Sequence, residues 1–168
     1  MTLIKSISGI RGIINASIDS KLVEKYVKAF ANISPDGVIL LARDTRNSGE
    51  IFISDSMNIL TELNKKFINC GIIPTPTAQY LIQSNNYSGG IVFTASHNPS
   101  NWNGMKFIDS QGIFLDHEKF FKLEKEVQET RIKKINRKNI KTNELSIESI
   151  NEHIDNILNL SIINSNLI

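Results

Sequence analysis

Gly90-Ile91-Val92-Phe93-Thr94-Ala95-Ser96-His97-Asn98-Pro99 is an apolar run that ends in a polar turn. Gly90 to Phe93 reads as a short buried strand, bounded by glycine on one side and Asn-Pro on the other. Pro99 pushes Asn98 away from the helical region, so the chain turns there. The strand therefore delivers Ser96 and His97 to its carboxyl end, where ligands collect in open α/β sheets. A hydroxyl beside an imidazole at such a place is either an activated nucleophile or an ordinary pair of surface turn residues.

Outward from this strand, helical and extended patterns alternate. Ser20 to Ile33 repeats apolar residues at Val23, Tyr26, Val27 and Phe30, a helical spacing, with Asp19 or Ser20 as its cap. Gly37 to Ala42 is a core strand, Gly49 to Asn64 a second helix, and Lys66 to Ile73 a second core strand. Pro74-Thr75-Pro76-Thr77 stops that strand and opens a helix, since proline suits a first helical turn. Ser100 to Gly104 reads as a polar loop and Met105 to Ile108 as the next strand. Asp116 caps a helix with Phe120, Leu123 and Val127 on one face. Glu144 to about Leu160 spaces Ile147, Ile150, Ile154 and Ile157 as an amphipathic helix. Such alternation predicts an α/β fold, a three-layer α/β/α sandwich on a mixed, mostly parallel sheet. The 168 residues suffice for one domain over 1–168 with a real core.

Bulk properties narrow the functional classes. Apolar residues make up 40% and charged residues 21%, the balance of a folded soluble protein. A net charge of +2 makes no case for a nucleic-acid partner. The basic, Asn-rich run from Arg131 to Lys141 lacks interleaved aromatics and reads as a solvated surface. No apolar run reaches membrane-spanning length, and the N-terminus has no secretory signal, so no membrane role and a cytoplasmic location are expected. The single Cys70 excludes an internal disulfide framework and reads as a small buried hydrophobe.

Three further clusters carry chemistry. In Ser8-Gly9-Ile10-Arg11-Gly12, two glycines beside an arginine suggest a tight turn that projects the guanidinium, either into solvent or onto a phosphate. Arg43-Asp44-Thr45-Arg46-Asn47-Ser48 follows a core strand, and its charges can pair with one another to fix the loop or hold an anion. In Asn103-Gly104-Met105-Lys106 the Asn-Gly pair suggests a sharp turn that brings Lys106 back toward Ser96. A lysine there is a base if its pKa is lowered, or a solvated strand-end residue. Trp102 reads as a lid contact or a packed loop residue.

Together these segments resemble the α-D-phosphohexomutases, the phosphoglucomutase and phosphomannomutase superfamily. Thr94 to Pro99 is similar to that family's active-site serine loop, Ser8 to Gly12 to its S-G-x-R-G loop, Arg43 to Ser48 to its R-D-x-R-x-S segment, and Asn103 to Lys106 to its N-G-x-K. Ile13 stands where many members have Thr. The resemblance runs from Ser8 to the last helix and implies the first of the family's four domains. It implies phosphoryl transfer between the 1- and 6-positions of a hexose phosphate through a bisphosphate intermediate, with Ser96 as the phosphoserine. It further implies Mg²⁺ on the serine phosphate, His97 and Lys106 as proton-transfer candidates, and Arg11, Asn98 and Asn103 as substrate or phosphate contacts. Arg43 to Ser48 is read as support for the active-site loops. The family's D-G-D-x-D-R metal loop and its sugar and distal-phosphate loops have no match here. Asp44 and Asp109 stand alone and do not replace the metal loop. The expected activity is therefore that of a phosphohexomutase domain, inactive by itself, and a separate chain carrying the missing domains is a candidate partner. The other readings are a non-catalytic phosphosugar-binding module and a structural remnant. Which hexose phosphate is used is not legible without the sugar loops.

Overall fold

A computed structural model describes residues 3–132, 138, 140, 146–160 and 162–163. In chain order its elements are β1 (Ile4–Ser6), β2 (Gly9–Ile13), α1 (Ser20–Ile33), β3 (Val38–Arg43), α2 (Asn47–Glu62), β4 (Lys66–Ile72), α3 (Thr75–Ser84), β5 (Gly89–Phe93), β6 (Trp102–Asp109), α4 (His117–Glu129) and α5 (Ser146–Leu158). The local signals explain the boundaries. The Asp19 carboxylate accepts from the Leu22 amide at 2.9 Å and Asp116 accepts from Lys119 at 2.8 Å, so both helices start on a side-chain cap. Pro76 sits in the first turn of α3, where its missing N–H costs nothing.

The six strands form one sheet in the order β1-β2-β6-β5-β3-β4. β4, β3 and β5 are parallel, whereas β5-β6, β6-β2 and β2-β1 are antiparallel. The sheet is mixed as expected, but parallel pairs are not the majority. The chain returns from β5 to β6 through the eight residues 94–101, too short a connection for the crossover that parallel neighbours need. Two local expectations are also corrected. Trp102, Asn103 and Gly104 are the first residues of β6, so the sharp turn is at Ser96 to Asn101 and not at Asn103-Gly104. Ile10, Arg11 and Gly12 lie in β2, and the turn before them is Ile7-Ser8.

Helices cover both faces. On one side α1, α2 and α4 bury Tyr26, Phe30, Phe52, Ile59 and Leu123 against Leu41, Phe93, Met105 and Phe107. On the other, α3 packs Ala78, Leu81 and Ile82 on Leu40, Val92, Ile108 and Cys70, with Ile150 of α5 at the margin. Cys70 is buried, as the sequence suggests. α5 seats differently from the expected isoleucine stripe. Ser149 is buried, and His153 stacks on Tyr80 at 4.9 Å and hydrogen-bonds Thr77 at 3.0 Å, while Ile147, Ile154 and Ile157 are exposed. Most of the basic run from Arg131 to Lys141 lies outside the described residues.

Gly104 shows how tightly β2, β5 and β6 approach. A Cβ there would come within 2.3 Å of the Ile10 carbonyl oxygen and 2.8 Å of the Thr94 carbonyl oxygen, so no other residue fits unless the strands separate.

Candidate functional site

Strand direction alone brings the site together. β3 and β5 are parallel with Arg43 opposite Phe93, so the loops that follow them leave the sheet side by side. β6 starts at the same end, and β2 pairs Arg11 with Gly104 and Ile13 with Trp102. The loops after β3 and β5, the start of β6 and the end of β2 therefore meet at the carboxyl edge of the parallel strands, where ligand sites form in such sheets.

Ser96 stands on this edge, exposed, with a positive φ of 56°. The other three non-glycine residues with positive φ among those described are all asparagines, which tolerate that region. A serine held there carries local strain that the surroundings must sustain. They do so with several hydrogen bonds. The Ser96 amide donates to Thr94 Oγ1 at 2.9 Å, and the Asn98 amide donates to the Ala95 carbonyl at 3.1 Å. The Thr94 amide donates to the Gly104 carbonyl at 3.1 Å, which pins the loop base to β6.

Arg11 and Lys106 line one polar cavity of about 170 Å³ together with Ser96, Thr94, Ser6 and Ser8. Arg11 Nη1 donates to Asn98 Oδ1 at 3.2 Å, and Lys106 Nζ lies 5.1 Å from the Phe114 ring centroid. Two cations and several hydroxyls facing one small cavity suit an anion such as a phosphoryl group. On the other side of the turn, a wide cleft of about 700 Å³ is lined by Ser96, Asn98, Thr94 and the loop Asp44 to Ser48. Ser96 thus forms a rim between two polar spaces. A separate cavity of about 280 Å³ beside α1, with Asn15, Lys21 and Lys25, contains none of the candidate residues.

The remaining candidates divide. His97 is exposed next to Ser96, and its imidazole makes no hydrogen bond among the described residues. Asn98 is half-buried and holds Arg11. Asn103 is not brought to either cavity. It is fully buried, donating to Ser48 Oγ at 2.7 Å and accepting from the Gly104 amide with its own Oδ1. Its side chain points to the α2 side of the sheet because it alternates with Gly104 and Lys106 along β6. Thr94 and Ser8 open two of the quoted motifs, whereas Ser6, whose hydroxyl lies 2.8 Å from that of Ser8, is not legible as a site residue in the sequence because an isolated hydroxyl carries no pattern. Trp102 is half-buried at the start of β6, and its carbonyl accepts from Arg46.

No group of three or more His, Cys, Asp or Glu able to hold a metal occurs among the described residues. Asp44 is paired with Arg46 and Asp109 with Lys119. The donors present therefore do not make a metal site by themselves.

The family model for phosphoglucomutase/phosphomannomutase, alpha/beta/alpha domain I, matches residues 3–134. A phosphoglucosamine mutase of Prochlorococcus marinus (strain MIT 9215) is 41% identical over 122 residues, which cover 72% of this chain and 27% of that protein. A phosphoglucosamine/phosphogalactosamine mutase of Sulfurisphaera tokodaii is 37% identical over 112 residues, 66% of this chain and 25% of that protein. A crystal structure from Thermus thermophilus, assigned as a phosphomannomutase, superposes with a TM-score of 0.77 at 25% identity over 94% of this chain and 36% of that one. The chain spans about a quarter to a third of the length of the relatives it matches.

Proposed function

Because this chain belongs to the phosphoglucomutase/phosphomannomutase family and matches its α/β/α domain I, we propose that Ser96 is its phosphoryl carrier. The observation that carries this reading is the position of Ser96: exposed at the sheet's carboxyl edge, in a left-handed turn, on the rim of a cavity that Arg11 and Lys106 share.

The chemistry follows from charge and position. In phosphoryl transfer the protein mainly positions the groups and offsets negative charge. A sugar hydroxyl oxygen attacks the phosphorus of phospho-Ser96. The new O–P bond forms, the P–Oγ bond breaks, and Oγ leaves with the electron pair. The hydroxyl proton passes to His97, exposed beside Ser96, and Oγ is reprotonated by the Lys106 ammonium or takes the second phosphoryl group from the bisphosphate. A phosphate on Ser96 adds about −1.5 to −2 charge, which Arg11 and Lys106 face across the cavity. Mg²⁺, when bound, supplies further charge neutralisation. Its ligands beyond the Ser96 phosphate would come from outside this set of residues, so no step is assigned to it.

On this reading the substrate is a hexose phosphate, and glucosamine phosphate is the first to test because two relatives are named for that sugar. Turnover requires further domains of the kind that complete the relatives, and the protein works in the cytoplasm. No helix among the described residues is long and apolar enough to cross a membrane.

The test joins this chain to domains II–IV of the Prochlorococcus relative and assays glucosamine-6-phosphate, glucose-1-phosphate and mannose-1-phosphate with Mg²⁺. Turnover by the chimera, none by the 168-residue chain alone, and phosphate on Ser96 by mass spectrometry are expected. Robust turnover by the chain alone would overturn the need for further domains. Phosphate on Thr94 or Ser100 would overturn the assignment of Ser96.

A further inference from the structure

Arg46 occupies the N-cap position of α2, where a short polar side chain would ordinarily accept from the helix amides. Its side chain does something else. Nε donates to Asp44 Oδ2 at 2.9 Å. Nη1 donates to the carbonyls of Pro99 at 2.7 Å and Trp102 at 3.2 Å, and Nη2 to those of Ser96 at 2.9 Å and Asn98 at 2.7 Å. A guanidinium has five N–H donors, and all five are used. Only 12% of the side chain is exposed. Asp44 holds the fork from behind, since its second oxygen accepts from the Arg46 amide at 2.9 Å.

Two consequences follow. With no donor left over, Arg46 does not hold a substrate phosphate, and its charge is directed at carbonyl dipoles. Those four carbonyls belong to the turn that starts at Ser96 and ends where β6 begins. They span 96 to 102 from a point about 50 residues earlier in the chain. A single planar fork thus gathers the backbone from the strained Ser96 to the start of β6.

We propose that Arg46, backed by Asp44, is the positioning residue of the Ser96 turn: it holds the serine in its left-handed conformation so that Oγ stays on the rim of the Arg11–Lys106 cavity. This rests on the reading of Ser96 as phosphoryl carrier. Lysine cannot replace it, because a compact ammonium has three donors and no fork to reach four spread acceptors.

Two measurements test this on Arg46→Lys and Arg46→Ala. The first is amide hydrogen exchange on the 168-residue chain. The amides of Ser96, Asn98 and Trp102, each bonded within the turn, are expected to exchange faster in both variants, with β3 and β5 unchanged. The second is kinetics in the chimera described above. A misplaced reacting group lowers kcat by about 100-fold, and KM is expected to stay within a few-fold. Lysine does not restore the rate, whereas added guanidinium partly restores Arg46→Ala. Unchanged exchange at the three amides, or full activity in Arg46→Lys, would overturn the positioning role. If the wild-type chimera carries no phosphate on Ser96, the carrier reading fails, and the exchange result alone decides whether Arg46 orders the turn. Should Arg46→Ala fail to fold, Arg46→Lys, which keeps the charge and most of the stem, decides both measurements.

Discussion

Arg11 and Asn98 meet at 3.2 Å, guanidinium to side-chain carbonyl, although 87 positions separate them in the chain. Arg11 lies on β2 and Asn98 in the turn after β5, and β6 between them sets their spacing. The contact ties the cavity's arginine to the same turn that Arg46 clamps from the other side, so the Ser96 turn is held by one guanidinium on each flank.

Asn98→Ala removes the acceptor and frees Arg11. The bond is partly exposed, so the expected loss of stability is about 1 kcal/mol, read from the midpoint of urea unfolding. The change leaves the Asn98 backbone bonds to Arg46 and Ala95 in place, so amide exchange in the turn is expected to stay near wild type. A loss of several kcal/mol would show that the contact is a structural keystone rather than a tether for Arg11.

Ser96→Gly and Ser96→Ala separate strain from chemistry. The φ of 56° suits glycine and penalises any residue with a Cβ. Ser96→Gly is therefore expected to unfold at higher denaturant than Ser96→Ala, by about 1 kcal/mol, with neither variant able to carry phosphate. Equal stabilities, or a less stable glycine variant, would mean that the turn relaxes and stores no strain at this position.

Alkaline pH is expected to weaken the fold. Burial pushes the Cys70 thiol up from 9.0, against a Ser149 hydrogen bond and with Glu152 adding to the rise. Burial, with the hydrogen bond to Glu124, pushes the Tyr26 hydroxyl well above its usual 10.0, and the hydrogen bond to Asp109 raises Lys119 above 10.5. All three hold protons more tightly folded than unfolded. Their contribution is fully present below the unfolded values and is lost as pH rises through the folded ones. Stability measured by urea unfolding from pH 8 upward should fall from about pH 9, and Tyr26→Phe should flatten the part above pH 10. A flat profile, or Tyr26→Phe with the wild-type slope, would refute this.

The elements were legible in the sequence wherever a local rule governs them. α1 occupies the predicted Ser20 to Ile33, because apolar spacing and the Asp19 cap act within a few residues. Ser96 and Lys106 were legible as site candidates because their motifs are contiguous. Three features needed the fold. The direction of β6 made Asn103-Gly104 part of a strand and buried Asn103 against Ser48, since alternation along a strand decides a side chain's face only once its neighbours are set. α5 seats on Ser149, Ile150 and His153 because α3 offers Thr77 and Tyr80 there, which helical periodicity cannot reveal. Arg46 and Asp44 could be read only as a loop-fixing pair or an anion ligand. The choice lay with four backbone carbonyls some 50 residues away, and a carbonyl is the same in every residue until tertiary structure aims it.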